Sequence, residues 1–209
     1  MNWMEMSLED FEKALASKKA TPGGGTAAAV ALGQAGALTE MVSALTLGHD
    51  QWSDGWPSAQ HAREVSALVR KRAGQLSVED SDAFDLVVAG FRMPKGTEVE
   101  KEERRNAIRN ATLRAAEVPL ETAKMGMKLL SCLEDLARLG NSNAASDVGV
   151  ASLLASAAVK GALFNVDINV ASLPDEMGAP VANETNGMRE ECSTISRGIM
   201  HAVHERISE

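Results

Sequence analysis

Tyrosine is absent from this chain and aromatic residues make up only 3% of it, which excludes a sandwich or barrel built on aromatic and β-branched strands. Positive charge is scarce as well. With 21 Lys and Arg against 29 Asp and Glu, the net charge of −8 opposes docking on a phosphate backbone, so no nucleic-acid partner is expected. Cys132 and Cys192 are the only cysteines, too few for a disulfide framework and without a histidine at metal-ligand spacing. They read as buried thiols in a reducing compartment, and no metal site is expected. GxGxxG, the P-loop, HExxH, the EF-hand loop and the nucleophile elbow are all missing. His49, His61, His201 and His204 have no triad-like neighbours, and the last two fit the surface of a terminal helix. The start, Met1 to Glu5, lacks the basic and apolar regions of a signal peptide, so a cytoplasmic protein is expected.

What the chain has instead is alanine, leucine, valine and methionine. Its 209 residues suffice for one domain, 1–209, with its own core. The pattern is organised around Thr21-Pro22-Gly23-Gly24-Gly25-Thr26 and the Ala-rich run that follows to Leu47. Three glycines before a run of good helix formers predict a tight turn opening a long helix, with the Thr26 hydroxyl placed to cap it. Such a turn gathers unpaired N–H groups and the positive end of a helix dipole, which suits an anionic or carbonyl-bearing ligand. Close helix packing would account for the glycines equally well. The helix would be roughly 33 Å long, enough to suggest a membrane span. Gln34, Glu40 and the lack of flanking basic residues argue against one. Being apolar on nearly every side, this helix is expected at the centre of a bundle of long antiparallel helices.

The remaining breaks divide the chain into further helices. Ser7 caps a short amphipathic helix ending near Ser17. A loop spans Gly48 to Pro57, and a long helix follows it to Phe91, unbroken or bent near Gly74. Arg92 to Thr97 is a break, Glu98 to Arg114 a densely charged helix, and Pro119 a predicted kink. Gly140-Asn141-Ser142-Asn143-Ala144-Ala145-Ser146-Asp147 joins two helices and concentrates amides, a hydroxyl and a carboxylate beyond ordinary capping. Asn165 and Asn169 recur at i,i+4 on an apolar segment, so they cap neighbouring helices or face a polar cavity. Pro174-Asp175 breaks the chain before a last, more polar helix from Met188 to Ile207.

In this order, the glycine turn, Asp82-Ala83-Phe84, Met93-Pro94-Lys95-Gly96-Thr97, Val118-Pro119-Leu120, Gly140-Asn141-Ser142-Asn143, Ser146-Asp147-Val148-Gly149-Val150-Ala151 and Asn165-Val166-Asp167-Ile168-Asn169 resemble the cyclodeaminase/cyclohydrolase family. The family includes the C-terminal domain of formiminotransferase-cyclodeaminase, and the similarity covers about Leu8 to Asp175. Thr26 stands where the family usually has serine and keeps the hydroxyl. The resemblance implies an all-α homodimer acting on a one-carbon derivative of tetrahydrofolate, with or without a polyglutamate tail. It implies no metal and no cofactor beyond the tetrahydrofolate itself. The reaction would be hydrolysis of 5,10-methenyltetrahydrofolate to 10-formyltetrahydrofolate, or closure of 5-formiminotetrahydrofolate with loss of ammonia. Nothing in the 209 residues suggests a formiminotransferase domain, which tips the expectation toward the hydrolase.

Both reactions need positioned proton transfer. Asp82 and Asp147 are the candidates, one as acid/base and one binding the pterin, with the roles open; a surface position on its long helix is the rival for Asp82. Asn141, Asn143 and Ser146 would orient the ring or a water, and Gly23, Gly24, Gly25 and Thr26 would contact the folate. Lys95, Lys101 and Arg104 would meet the glutamate tail. Glu40 reads as a structural hydrogen-bonding group as readily as a catalytic one. A folate-binding dimer without catalysis and an assembly scaffold remain the other two readings.

Overall fold

The computed structural model describes residues 2–208, and every regular element among them is helical. The α-helices are α1 (Leu8–Leu15), α2 (Gly24–Thr46), α3 (Trp56–Arg92), α4 (Glu98–Leu130), α5 (Leu133–Leu139), α6 (Ala145–Val170), α7 (Asp175–Glu184) and α8 (Met188–Ser208). Short 3-10 turns cover Trp3–Glu5, Asp50–Gly55 and Ser142–Ala144.

Helix boundaries fall where the local chemistry ends them. The Ser7 side chain accepts from the Asp10 N–H at 3.1 Å and starts α1. Thr97 and Glu100 form a reciprocal capping box at the head of α4. Pro57 enters the first turn of α3, which then runs past Gly74 without a break. α4 likewise remains one helix across Pro119, where a kink is predicted; the ring is buried, and packing against neighbouring helices holds what one lost hydrogen bond would loosen. Pro174-Asp175 does not simply interrupt the chain but opens α7, a helix the periodicity did not reveal.

α2 is the shared wall of the bundle, flanked by α3 on one side and α6 on the other, with α4 behind. Its small residues set the spacing. Ala29, Leu32, Ala35 and Val42 are fully buried, and alanine and glycine between them let neighbouring backbones approach closely. α6 runs antiparallel to α2. Near its start the Asn141 side chain donates to Leu45 O at 3.0 Å and its backbone N–H to Thr46 Oγ1 at 3.0 Å, while Asn165 near its end lies beside Gly24. α3 and α4 are longer than α2 and project past the glycine turn as a hairpin. Arg72 ties their shafts together, reaching Glu79 at 2.5 Å on α3 and Glu121 at 2.5 Å on α4, and both partners hold its guanidinium charged.

The expectation of a fully buried α2 holds on three sides only. Met41 and Leu45 are exposed, and α6 beside it exposes Val150, Leu153, Phe164 and Ile168. Gly24–Thr46 and residues 142–170 are long and apolar enough to cross a membrane, yet about half of the most apolar stretch of each is buried inside the fold, 50% and 56%.

Helix spacing gives a direct test. A methyl added at Gly126 on α4 would lie 2.4 Å from Val159 Cγ2 on α6. Gly126→Ala is expected to cost about 1–3 kcal/mol by overpacking, read as a lower urea midpoint. Val159→Ala in the same chain should return part of that loss because the two sites touch; strictly additive losses would contradict the contact.

Candidate functional site

The glycine turn opens into a cavity of about 190 Å³ lined by Thr21, Gly23, Gly24, Gly25, Asp80, Phe84, Asn165 and Asn169. Four helices meet there: the first turn of α2, the middle of α3, the edge of α4 at Ala115 and the end of α6. None of the three glycines uses a positive φ, which among the described residues occurs only at Gly48 and Gly187. What they provide is room. A Cβ on Gly25 would sit 2.1 Å from Asp80 Oδ1, so the carboxylate can rest against the helix start only because residue 25 has no side chain.

Thr26 is not the cap the sequence predicts. Gly23 holds that position, and Ala27 N–H closes the first turn on Gly23 O at 3.0 Å. With the start of α2 lying earlier, the Thr26 hydroxyl is free to reach across to α3. It donates to Asp80 Oδ2 at 2.8 Å and lies 3.0 Å from Ser81 Oγ. Ser81 in turn accepts from Trp3 Nε1 at 2.9 Å, tying the N-terminal turn to the same point. Burial pushes the Asp80 carboxyl above its ordinary range, and bonds from the Thr26 hydroxyl and backbone N–H hold back part of the rise. The N–H groups of Gly24 and Gly25 stand in the first turn, where no intrahelical acceptor exists.

On α6, Asn169 Nδ2 donates to Ala115 O at 2.8 Å and Asn165 O at 2.9 Å, and Asn165 Nδ2 donates to Gly161 O at 2.9 Å. Asn169 therefore spends both its donors on the backbone and keeps its carbonyl oxygen, whereas Asn165 keeps one N–H as well as its carbonyl oxygen.

Asp80 was missed in the sequence, although a signal existed. On α3 the buried residues Ala73, Leu76 and Ala83 define a stripe with helical spacing, and Asp80 falls on it. Asp82 lies about 200° further round the helix, is exposed, and lines an adjoining cavity of about 480 Å³ with Trp3, Lys13, Thr21 and Asp85. The structure thus puts Asp80, not Asp82, against the glycine turn.

The other expected residues are not gathered there. Lys95, Lys101 and Arg104 occupy the tip of the α3–α4 hairpin, ~18 Å beyond Asp80 by helix rise. Lys101 pairs with Glu98 at 2.7 Å, and the Arg104 guanidinium lies 5.5 Å over the Phe91 ring. Asn141, Asn143, Ser146 and Asp147 sit at the opposite end of the α2–α6 seam, where Asn141 also caps the turn by accepting from Asn143 N–H at 3.0 Å. Asp147 and Asn165 occupy the same side of α6 about five turns apart, ~27 Å. Glu40 pairs with Arg70, a structural role. His201 and His204 are exposed, and no group of His, Cys, Asp and Glu suited to a metal occurs among the described residues. Cys132 is no nucleophile, since burial pushes its thiol up to about 12.

The sequence profile described as Formiminotransferase-cyclodeaminase matches residues 7–186. The chain belongs to that family. It is 32% identical over 203 residues to a methenyltetrahydrofolate cyclohydrolase of Methylorubrum extorquens, covering 97% of this chain and 98% of the relative. It is also 32% identical over 176 residues to a formimidoyltransferase-cyclodeaminase of Rattus norvegicus, spanning 83% of this chain but only 32% of that larger protein. The fold matches a formiminotetrahydrofolate cyclodeaminase from Thermotoga maritima with a TM-score of 0.85 at 28% identity, covering 97% of this chain and 98% of the other.

The buried carboxyl predicts a pH dependence of stability. Unfolded, Asp80 titrates near 3.8, and folded it titrates higher. Its contribution to stability is full below the lower value and is lost as pH rises through the higher one. Asp80→Asn removes that loss, so the stability of the variant relative to the parent should grow in urea titrations as pH rises above the ordinary aspartate value of 3.8. A difference that shrank with rising pH would mean the fold favours the carboxylate.

Proposed function

We propose that this chain hydrolyses 5,10-methenyltetrahydrofolate to 10-formyltetrahydrofolate. The observation that carries this reading is the 32% identity with the Methylorubrum cyclohydrolase over nearly the whole of both chains. The reactive carbon stays at the formate oxidation level from substrate to product, so water and proton transfers suffice and only the folate itself is required.

Hydrolysis adds water to the amidinium carbon between N5 and N10. A base removes a proton from the water, and the tetrahedral adduct then collapses with cleavage of the carbon–N5 bond as N5 gains a proton. Asp80 is suited to both transfers, because a carboxyl raised by burial can hold a proton and release it closer to neutral pH. Gly24 and Gly25 N–H groups would bind the oxygen that becomes the formyl carbonyl. The Asn165 and Asn169 carbonyls would accept from the pterin's N–H and amino groups. Lys95, Lys101 and Arg104, out on the hairpin, would meet a long glutamate tail. The buried free thiols fit a cytoplasmic setting, the net charge of −8 fits the absence of a nucleic-acid partner, and the open apolar face of α2 and α6 fits a homodimer.

Cyclodeamination is the second reading. The Thermotoga chain carries that name and is matched over 98% of its length, so the extent of the match does not separate the two reactions. The same site would let N10 attack the formimino carbon while Asp80 delivers a proton to the departing ammonia.

Purified protein mixed with 5,10-methenyltetrahydrofolate should bleach its absorbance faster than the spontaneous rate, and Asp80→Asn should lower kcat by about 10²–10⁴. Absorbance appearing instead from 5-formiminotetrahydrofolate would assign the cyclodeaminase. Silence with both would leave a folate-binding protein without catalysis.

A further inference from the structure

We infer that Trp3 is a positioning residue for Asp80. Its indole N–H gives the hydroxyl chain of Ser81 and Thr26 one fixed direction, so that Thr26 donates to Oδ2 of Asp80 and the transferable proton is carried on Oδ1. The inference rests on the reading of Asp80 as the acid/base above and adds what governs it.

The direction follows from counting protons. An indole N–H only donates, a hydroxyl has one proton to give, and a carboxylate only accepts. Trp3 Nε1 donates to Ser81 Oγ at 2.9 Å. Ser81 Oγ stands 3.0 Å from Thr26 Oγ1, which stands 2.8 Å from Asp80 Oδ2. With a pure donor at one end and a pure acceptor at the other, each hydroxyl points its proton toward Asp80. The Thr26 backbone N–H is a second donor to the same carboxyl group. Oδ2 is thereby committed as an acceptor of the Thr26 hydroxyl. A proton taken up by Asp80 goes to Oδ1, the oxygen that lies over the missing side chain of Gly25.

The chain is buried, with Trp3 9%, Ser81 5% and Thr26 0% exposed, so solvent does not compete for its hydroxyls. The Trp3 ring meets Phe11 edge-on, centroids 6.3 Å apart. Beside it the Met4 side chain fills the space over Gly33 and Gly74, which seats the N-terminal turn on α2 and α3. Trp3 does not line the cavity at the glycine turn, so it acts on that cavity through the hydroxyls.

Other charges face elsewhere. Among the described residues, the cavity walls from α2, α4 and α6 carry no titratable side chain. On α3, Glu79 is held by Arg72 and Arg114, while Asp82 and Asp85 line the adjoining cavity with Lys13 and Lys19 from the N-terminal segment. On α6, Asp167 pairs with Arg189. The donors on Thr26 are therefore what opposes burial at this carboxyl.

The test is the pH profile of turnover. Trp3→Phe keeps a ring against Phe11 and removes the donor. Ser81 then has a lone pair open, and Thr26 divides its proton between Ser81 and Asp80. A donor to the carboxylate favours the charged form, so its partial loss makes Asp80 harder to ionise. The substrate is whichever of 5,10-methenyltetrahydrofolate and 5-formiminotetrahydrofolate the parent turns over. The limb of the kcat profile that reports Asp80 should move to higher pH, its proton dissociation constant falling about three- to tenfold. Adding Ser81→Ala to Trp3→Phe removes the competing acceptor, so the limb should return toward the parental pH. A bracing role alone would lower the urea midpoint without that shift or that return. An unshifted limb in Trp3→Phe, or a double variant that stays as far shifted, would overturn the inference.

A second measurement does not depend on turnover, so it separates this inference from the folate reading should the parent protein prove inert. Carbon NMR of the Asp80 carboxyl, assigned with Asp80→Asn, should titrate at higher pH in Trp3→Phe and return in the double variant. Coincident titrations of the parent and Trp3→Phe would reject the fixed direction.

Discussion

The structure depends on the seating of one carboxylate against the start of one helix. Asp80 lies on α3, but its surroundings are made by α2: the missing side chain of Gly25 admits it, and the hydroxyl of Thr26 holds it at 2.8 Å. Burial opposes ionisation there while the Thr26 donors favour it. The balance leaves a carboxyl that neither sheds its proton as readily as a surface aspartate nor keeps it permanently. The helix start places two further N–H groups beside it. A site of this kind requires that three glycines, a threonine and an aspartate more than fifty residues away agree in register, which is why the α2–α3 packing is inseparable from the chemistry.

The same register explains the hydroxyl relay behind the site. Trp3 donates to Ser81 and Ser81 meets Thr26, so the N-terminal turn braces the face of α3 that presents Asp80. On the other side, Asn169 spans from α6 to Ala115 on α4. The cavity walls thus come from four helices joined by hydrogen bonds as well as by apolar contact. Hydrolysis and deamination place similar demands on such a cavity: an oriented pterin, a proton donor and acceptor at the one-carbon bridge, and an oxygen or nitrogen held against donors. A shared architecture can serve either reaction, because the difference lies in whether water or ammonia occupies the space beside the carbon.

Much of this was legible in the sequence. Glycine, proline and capping residues mark the ends of α1, α3 and α8 and the start of α4 closely, and the Ala-rich runs mark α2 and α6, but nothing in the pattern separates α5 from α4. α7 escaped because ten residues with an internal proline carry little periodic signal. Of the two readings the glycine turn allows, the structure supports spacing rather than backbone freedom. Asp82 enters through the Asp82-Ala83-Phe84 motif; the helical phase set by Ala73, Leu76 and Ala83 turns Asp80 toward α2, but phase matters only once the opposing helix is known to lie on that side. Nor does a one-dimensional pattern reveal that Asp147 and Asn165 occupy opposite ends of the same rod. Order along the chain preserves motif sequence, not proximity.

That separation also bears on why α2 and α6 are so poor in charge. A helix that merely filled the centre of a single bundle could afford a polar outer stripe, and α4 has one along Glu98 to Arg114. α2 and α6 instead keep large apolar side chains where the isolated chain meets solvent, a condition that favours association. A second apolar surface laid on that face would remove its side chains from water, with a gain that grows with the area covered.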